Sequence, residues 1–123
     1  KRKEVVVFGS DYNTVDGSCI RDYIHVNDLA EAHISALRYL NCQNQDLVVN
    51  LGTSKGLSVL EVLRIAREVS GTKFKYKLGP RRAGDPAIVL AKSSLAKKLL
   101  QWTPKNSDAK TLLETSLRAY RKS

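Results

Sequence analysis

The chain has 123 residues, 42% of them hydrophobic and 27% charged, the composition of a single globular domain with one modest core rather than of a disordered chain. Lys and Arg number 21 against 12 Asp and Glu, a net charge of +9 that favours anionic partners; the cations are spread from KRK through PRR to YRK, which fits a solvated surface better than a nucleic-acid track. No stretch reaches the roughly 18 apolar residues of a membrane span, the basic start lacks a signal peptide's apolar run, and two cysteines cannot form a disulfide framework, so a soluble cytoplasmic protein with free, buried or partly buried thiols at Cys19 and Cys42 is expected.

Val5 to Phe8 are apolar and mostly β-branched and stop at Gly9, which predicts a short buried strand. The following GSDYNTVDGS reads as loop, with a turn at Asp16-Gly17. Asn27 or Asp28 can cap a helix that ends near Asn41 and turns Leu29, His33, Ala36, Leu37 and Leu40 inward. DLVVNLG predicts a second buried strand stopping at Gly52, and TSKG a turn. Ser58 and Glu61 form a capping box for a helix with Val59, Val62, Leu63, Ala66 and Val69 inward. Arg64, Arg67 and Glu68 then face outward, and Gly71 is the stop. KFKYKL alternates as an exposed strand with Phe74, Tyr76 and Leu78 on one face, and GPRRAGDP is a loop. A short strand at Ile88 to Leu90, a short helix from Ser93 to Gln101 and a helix from about Asp108 to Arg121 carrying Leu113, Leu117 and Tyr120 complete a mixed α/β domain.

The motifs of a self-contained enzyme are missing. The glycines, at positions 9, 17, 52, 56, 71, 79 and 84, never give the spacing of a dinucleotide-binding turn. No tyrosine has a lysine four residues later, and neither G-x-S-x-G nor a P-loop nor a zinc-spaced histidine pair occurs. His25, in an apolar alternation, and His33, on the inner helix face, read as packed structural residues rather than general bases.

Two segments concentrate chemistry. IRDYIHV sets Arg21 and Tyr23 on one side of an extended stretch and Asp22 on the other, and PRRAGDP offers two guanidiniums and a carboxylate in a restricted loop. Arginine forks bind phosphate bidentately and a carboxylate accepts hydrogen bonds from a ribose diol, so one Arg from each segment with Asp85 would suit a nucleoside diphosphate. The same residues read equally well as surface ion pairs, Arg21 with Asp28 or Arg82 with Asp85.

VFGSDYNTVDGSCIRDYIHVNDLAEAH, NLGTSKGLSVLEV and PRRAGDPA together resemble the C-terminal part of the UDP-glucose 4-epimerases, a family of extended short-chain dehydrogenase/reductases. R-D-aromatic-x-x-V is shared by many nucleotide-sugar enzymes of that superfamily; the longer DGSCIRDYIHVNDLA and the PRRAGDP loop are more specific. The resemblance implies a small mixed α/β substrate-binding domain spanning residues 1–123, without the family's N-terminal Rossmann domain, its glycine motif or its Tyr-Lys pair. It implies that Arg21 and Arg82 hold the diphosphate of a UDP-sugar, that Asp85 meets the ribose, and that Tyr23 lines the nucleotide-sugar cleft. Val6, Val7 and Phe8 would border the uracil.

The whole enzyme would interconvert UDP-glucose and UDP-galactose with NAD through a 4-keto sugar held only by its nucleotide, which makes a tight UDP clamp a requirement of the reaction. This chain would supply the clamp, bind no NAD alone, and be inactive by itself. The surface that would pack on the missing domain invites self-association. Lys92, where the family commonly has an acidic residue, and Ser10 and Val15 depart from its pattern. Rival readings are part of another nucleotide-sugar dehydratase, decarboxylase or epimerase, and a basic non-enzymatic binding module.

Overall fold

The structure, a computed structural model, describes residues 4–122. Strand β1 (Val5–Phe8) is followed by a loop, the short β2 (Ile20–Arg21) and helix α1 (Val26–Gln43); β3 (Leu57–Ser58) leads directly into α2 (Val59–Ser70). Strands β4 (Tyr76–Gly79) and β5 (Ile88–Val89) and helices α3 (Ser94–Leu100) and α4 (Ala109–Lys122) complete this small mixed α/β architecture. Two sheets form: β1 pairs with β4 in parallel, and β2 lies between antiparallel β3 and parallel β5. Helix α2 packs on α4, and α1 on α3.

The core centres on Ala32, Ala96, Leu100 and Trp102, with Ile24, Ala36, Tyr39, Leu47, Val49 and Leu51 packed around it. Asp28 is fully buried beside it and organises the segment before α4. Its carboxylate accepts from the backbone N–H groups of Lys105 and Asn106, from Asn106 Nδ2 at 2.8 Å and from Ser107 Oγ at 2.5 Å, while its carbonyl accepts Trp102 Nε1–H at 2.8 Å. Four donors satisfy a carboxylate that burial would otherwise penalise.

Several elements lie where the sequence places them. Ser58 caps α2 by accepting the Glu61 N–H at 3.0 Å, and Gly71 ends that helix in the left-handed region at φ 66°. The Asp16-Gly17 turn, the 80–87 loop and α3 are also as expected. His25 is a buried structural residue: its Nδ1 accepts the Asn27 N–H and its Nε2 lies 2.9 Å from Thr115 Oγ1.

The differences have local causes. His25, not Asn27 or Asp28, caps α1, because Asp28 is drawn inward by the 105–107 segment. The buried side of α1 is accordingly Asp28 and Ala32, with Ala36 and Tyr39 partly covered; His33 is exposed, its Nδ1 2.7 Å from the Leu29 carbonyl one turn back, and Leu37 is 62% exposed. The helix runs on to Gln43, with Asn44 in the left-handed region as its stop. DLVVNLG is not a buried strand among the described residues: Leu47, Val49 and Leu51 pack on the core, but Val48 is 88% exposed. In β1 only Val7 is buried. Arg67 does not face solvent freely; its guanidinium lies over the rings of Phe74 and Tyr76 and donates to the Phe74 carbonyl. Tyr120 is largely exposed, as is Cys42, while Cys19 is buried. No described helix is long and apolar enough to cross a membrane.

Candidate functional site

Two parallel strand pairings position the 80–87 loop. At its entrance, Phe8 is in register with Gly79, and the Gly9 N–H donates to the Gly79 carbonyl at 2.9 Å. At its exit, Ile20 is in register with Ile88, and the Ile20 N–H donates to the Ala87 carbonyl at 2.8 Å. The loop is thus fastened to the end of β1, which carries Phe8, and to Ile20 of β2, the residue before Arg21. Between these anchors it turns back through Gly84 at φ 78°, closed by the Asp85 N–H on the Arg82 carbonyl at 3.2 Å.

This arrangement brings four residues together. Arg21 Nη2 lies 3.1 Å from Asp85 Oδ1, and its Nη1 donates to the Ile20 carbonyl at 2.8 Å. Arg82 sets Nε and Nη2 on Asp85 Oδ2 at 2.9 and 2.6 Å. The Arg82 guanidinium also lies over the Phe8 ring, 5.0 Å from its centroid. Asp85 is about one-fifth exposed and Arg82 about three-fifths, so the cluster is reachable from solvent. Hydrogen bonding from Arg82, followed by that from Arg21 and both positive charges, outweighs desolvation and holds the Asp85 carboxyl below its ordinary range.

A second layer braces the cluster. Arg81 Nε binds Asp11 Oδ1 at 2.7 Å and its Nη2 the Asp11 carbonyl at 2.5 Å, while its guanidinium lies 4.2 Å from the centroid of the Tyr12 ring. Tyr12 is buried, with its hydroxyl 3.3 Å from the Asp85 carbonyl it donates to. On the other side, Asp22 accepts from Thr53 N and Oγ1 at 2.8 and 2.5 Å, from Ser54 N at 3.2 Å and from Ala91 N at 3.1 Å. Desolvation raises the Asp22 carboxyl, but these donors outweigh it and leave it below the usual range. Asp22 thereby ties the residue after Arg21 to the 53–54 turn and to the chain leaving β5.

The sequence-derived site residues divide into two groups. Phe8, Arg21, Arg82 and Asp85 converge; Val7 is buried, in register with Leu78, and Val6 is half-buried against Gly79. Tyr23 lines a different cavity of about 150 Å³, together with Leu57, Val62, Leu112, Leu113 and Ser116, between α2 and α4. None of the four converging residues lines that cavity. Burial there raises the Tyr23 hydroxyl above its ordinary value. Tyr12, Arg81 and Asp22 were not singled out as parts of the site by sequence reasoning. The adjacency of Arg81 to Arg82 was the available signal, but only the fold shows that they point to different partners. Among the described residues no group of three or more His, Cys, Asp or Glu could hold a metal ion.

The chain is similar to known proteins in sequence and in fold. Residues 1–52 match the NAD dependent epimerase/dehydratase family. The UDP-glucose 4-epimerase of Halalkalibacterium halodurans is 47% identical over 114 residues, which cover 93% of this chain and 34% of that protein. The structure of UDP-glucose 4-epimerase from Bifidobacterium longum in complex with NAD+ and UDP superposes with a TM-score of 0.89 at 39% identity, covering 99% of this chain and 36% of that one. The UDP-Glc/GlcNAc 4-epimerase of Campylobacter jejuni gives a TM-score of 0.90 at 41% identity, covering 100% and 37%. The chain therefore spans about a third of the length of the relatives it matches.

Proposed function

From the premise that the chain is the counterpart, in sequence and fold, of the C-terminal part of the UDP-glucose 4-epimerases, we propose that it is the UDP-sugar-holding part of such an epimerase. The observation that carries this reading is the convergence of Arg21, Arg82, Asp85 and Phe8 at the 80–87 loop. Arg21 and Arg82 grip the diphosphate, Asp85 accepts from the ribose hydroxyls, and Phe8 with the backbone of Val6 and Val7 borders the uracil. Tyr23 lines a separate cavity between α2 and α4 and is given no part in this clamp.

A hexose that is oxidised at one carbon and reduced again from the opposite face must turn over between the two steps. Attachment through the nucleotide alone permits that rotation, so the clamp must hold UDP firmly while leaving the sugar free. NAD supplies the hydride acceptor in this reading. The described residues contain no turn with the glycine spacing of a dinucleotide site, and they do not fit that cofactor. Hydride transfer and the tyrosine-dependent proton transfer accordingly fall to an N-terminal Rossmann domain, and this chain by itself is inactive. Exposed Ile34, Leu37 and Leu40 on α1 give the chain a surface through which copies associate at high concentration.

Titration with UDP, TDP and GDP tests the assignment. Preferential binding of UDP is expected. A preference for TDP or GDP would overturn the 4-epimerase reading in favour of another nucleotide-sugar enzyme, and equal, weak, strongly salt-dependent binding of all three would favour a generic basic module.

A further inference from the structure

Asp85 stands where it competes with the very ligand assigned to the two arginines. Its Oδ2 takes both Nε and Nη2 of Arg82, and its Oδ1 takes Nη2 of Arg21. The other terminal nitrogen of Arg21 is directed to the carbonyls of Ile20 and Ala87. The edge of Arg82 that a phosphate would grip bidentately thus already holds a carboxylate. Arg81 does not relieve this, since it is engaged by Asp11 and Tyr12. Any oxyanion brought to Arg21 and Arg82 meets the negative charge of Asp85 within a few ångströms.

The two halves of a nucleoside diphosphate meet that carboxylate differently. A ribose carries hydroxyl donors, which Asp85 can accept once it turns away from the guanidiniums. Inorganic pyrophosphate carries no ribose hydroxyls and brings a larger negative charge against the displaced carboxylate. We propose that Asp85 is a specificity-determining residue that holds the arginine forks closed to phosphate groups lacking an attached sugar and yields them to a nucleoside diphosphate. This rests on the nucleoside diphosphate reading above.

Calorimetric titration with UDP and with inorganic pyrophosphate, at constant ionic strength, tests it on the unsubstituted protein and on Asp85→Asn and Arg82→Ala. Asp85→Asn, which keeps the side-chain shape, is expected to bind pyrophosphate about tenfold more tightly, as removal of one nearby like charge at a partly exposed site predicts. Its UDP affinity is expected to stay level or fall, so the preference for UDP over pyrophosphate shrinks by at least about tenfold. Pyrophosphate affinity that is unchanged or weaker in Asp85→Asn overturns the proposal. Asp85→Ala carries the same expected sign and serves if the asparagine variant does not fold. Arg82→Ala separates the two levels of the account: if it weakens neither ligand, the arginine clamp itself fails, whereas weakened UDP binding with an unresponsive Asp85→Asn defeats only the role given to Asp85.

Discussion

Arg21 and Asp85, 64 positions apart in sequence, meet with Nη2 3.1 Å from Oδ1, and Arg82 holds the other oxygen of the same carboxylate. One side chain therefore joins the end of β2 to a loop that two strand pairings have already brought beside it. The pairing is close enough to fix the direction of both guanidiniums and exposed enough to be exchanged for a ligand.

The fork geometry of Arg82 gives a first prediction. Lysine keeps the charge but cannot present the Nε and Nη2 pair to one oxyanion. Arg82→Lys is expected to lower UDP affinity about tenfold, the equivalent of one charge-assisted hydrogen bond of roughly 1.4 kcal/mol. Calorimetry reads this directly, and an affinity matching that of the unsubstituted protein would show that charge alone suffices.

Asp28 gives a stability prediction. Its carboxylate satisfies donors from Lys105, Asn106 and Ser107, and Asp28→Ala leaves them without their acceptor inside the fold. A loss of about 3 kcal/mol is expected from the desolvation of those groups. Urea denaturation measures it; a change below about 0.5 kcal/mol would mean that water replaces the carboxylate without cost.

The three structural carboxylates also set the acid limb of stability. In Asp16, Asp22 and Asp28 burial raises the carboxyl, but hydrogen bonds from Ser58 and Ser18, from Thr53, Ala91 and Ser54, and from Ser107, Asn106 and Lys105 outweigh it, so each folded-state value lies below the ordinary one. Such groups stabilise the folded chain fully above the unfolded value of about 3.9. Their contribution is lost as pH falls through the depressed folded values. Thermal denaturation from about pH 6 to about pH 3 is expected to show a steep loss at the acid end that is shallower in Asp28→Ala; a flat profile would contradict the depressed values.

Gly17 carries a backbone prediction. It sits at φ 79°, and a Cβ there would collide with the Ser10 carbonyl oxygen. Gly17→Ala is expected to cost about 2 kcal/mol or more, from the left-handed conformation and the clash with backbone that cannot swing aside. A melting temperature equal to that of the unsubstituted protein would refute it.

Much of the site was legible because its parts are local signals. A proline- and glycine-bounded loop with two arginines and an aspartate, and an arginine ending a short extended segment, can be seen in the residues themselves, and the fold does bring Arg21, Arg82 and Asp85 together. What could not be read were choices made by distant partners. Asp28 looks like a helix cap until the 105–107 segment claims its carboxylate, after which His25 takes the cap and the buried face of α1 moves off His33 and Leu37. The DLVVNLG run has a strand's composition, but among the described residues it is packed through alternate side chains without a sheet partner. Arg81 and Arg82 are adjacent and chemically identical, and only tertiary contacts give Tyr12 to one and Phe8 to the other.

The central claim, that Arg21 and Arg82 form a UDP clamp, is tested most directly by titrating UDP into the unsubstituted protein, Arg21→Ala and Arg82→Ala under identical salt. Saturable binding that falls about tenfold or more in each variant is the expected result. Affinity unchanged by both substitutions, as would follow from binding spread over many surface lysines, would contradict the account.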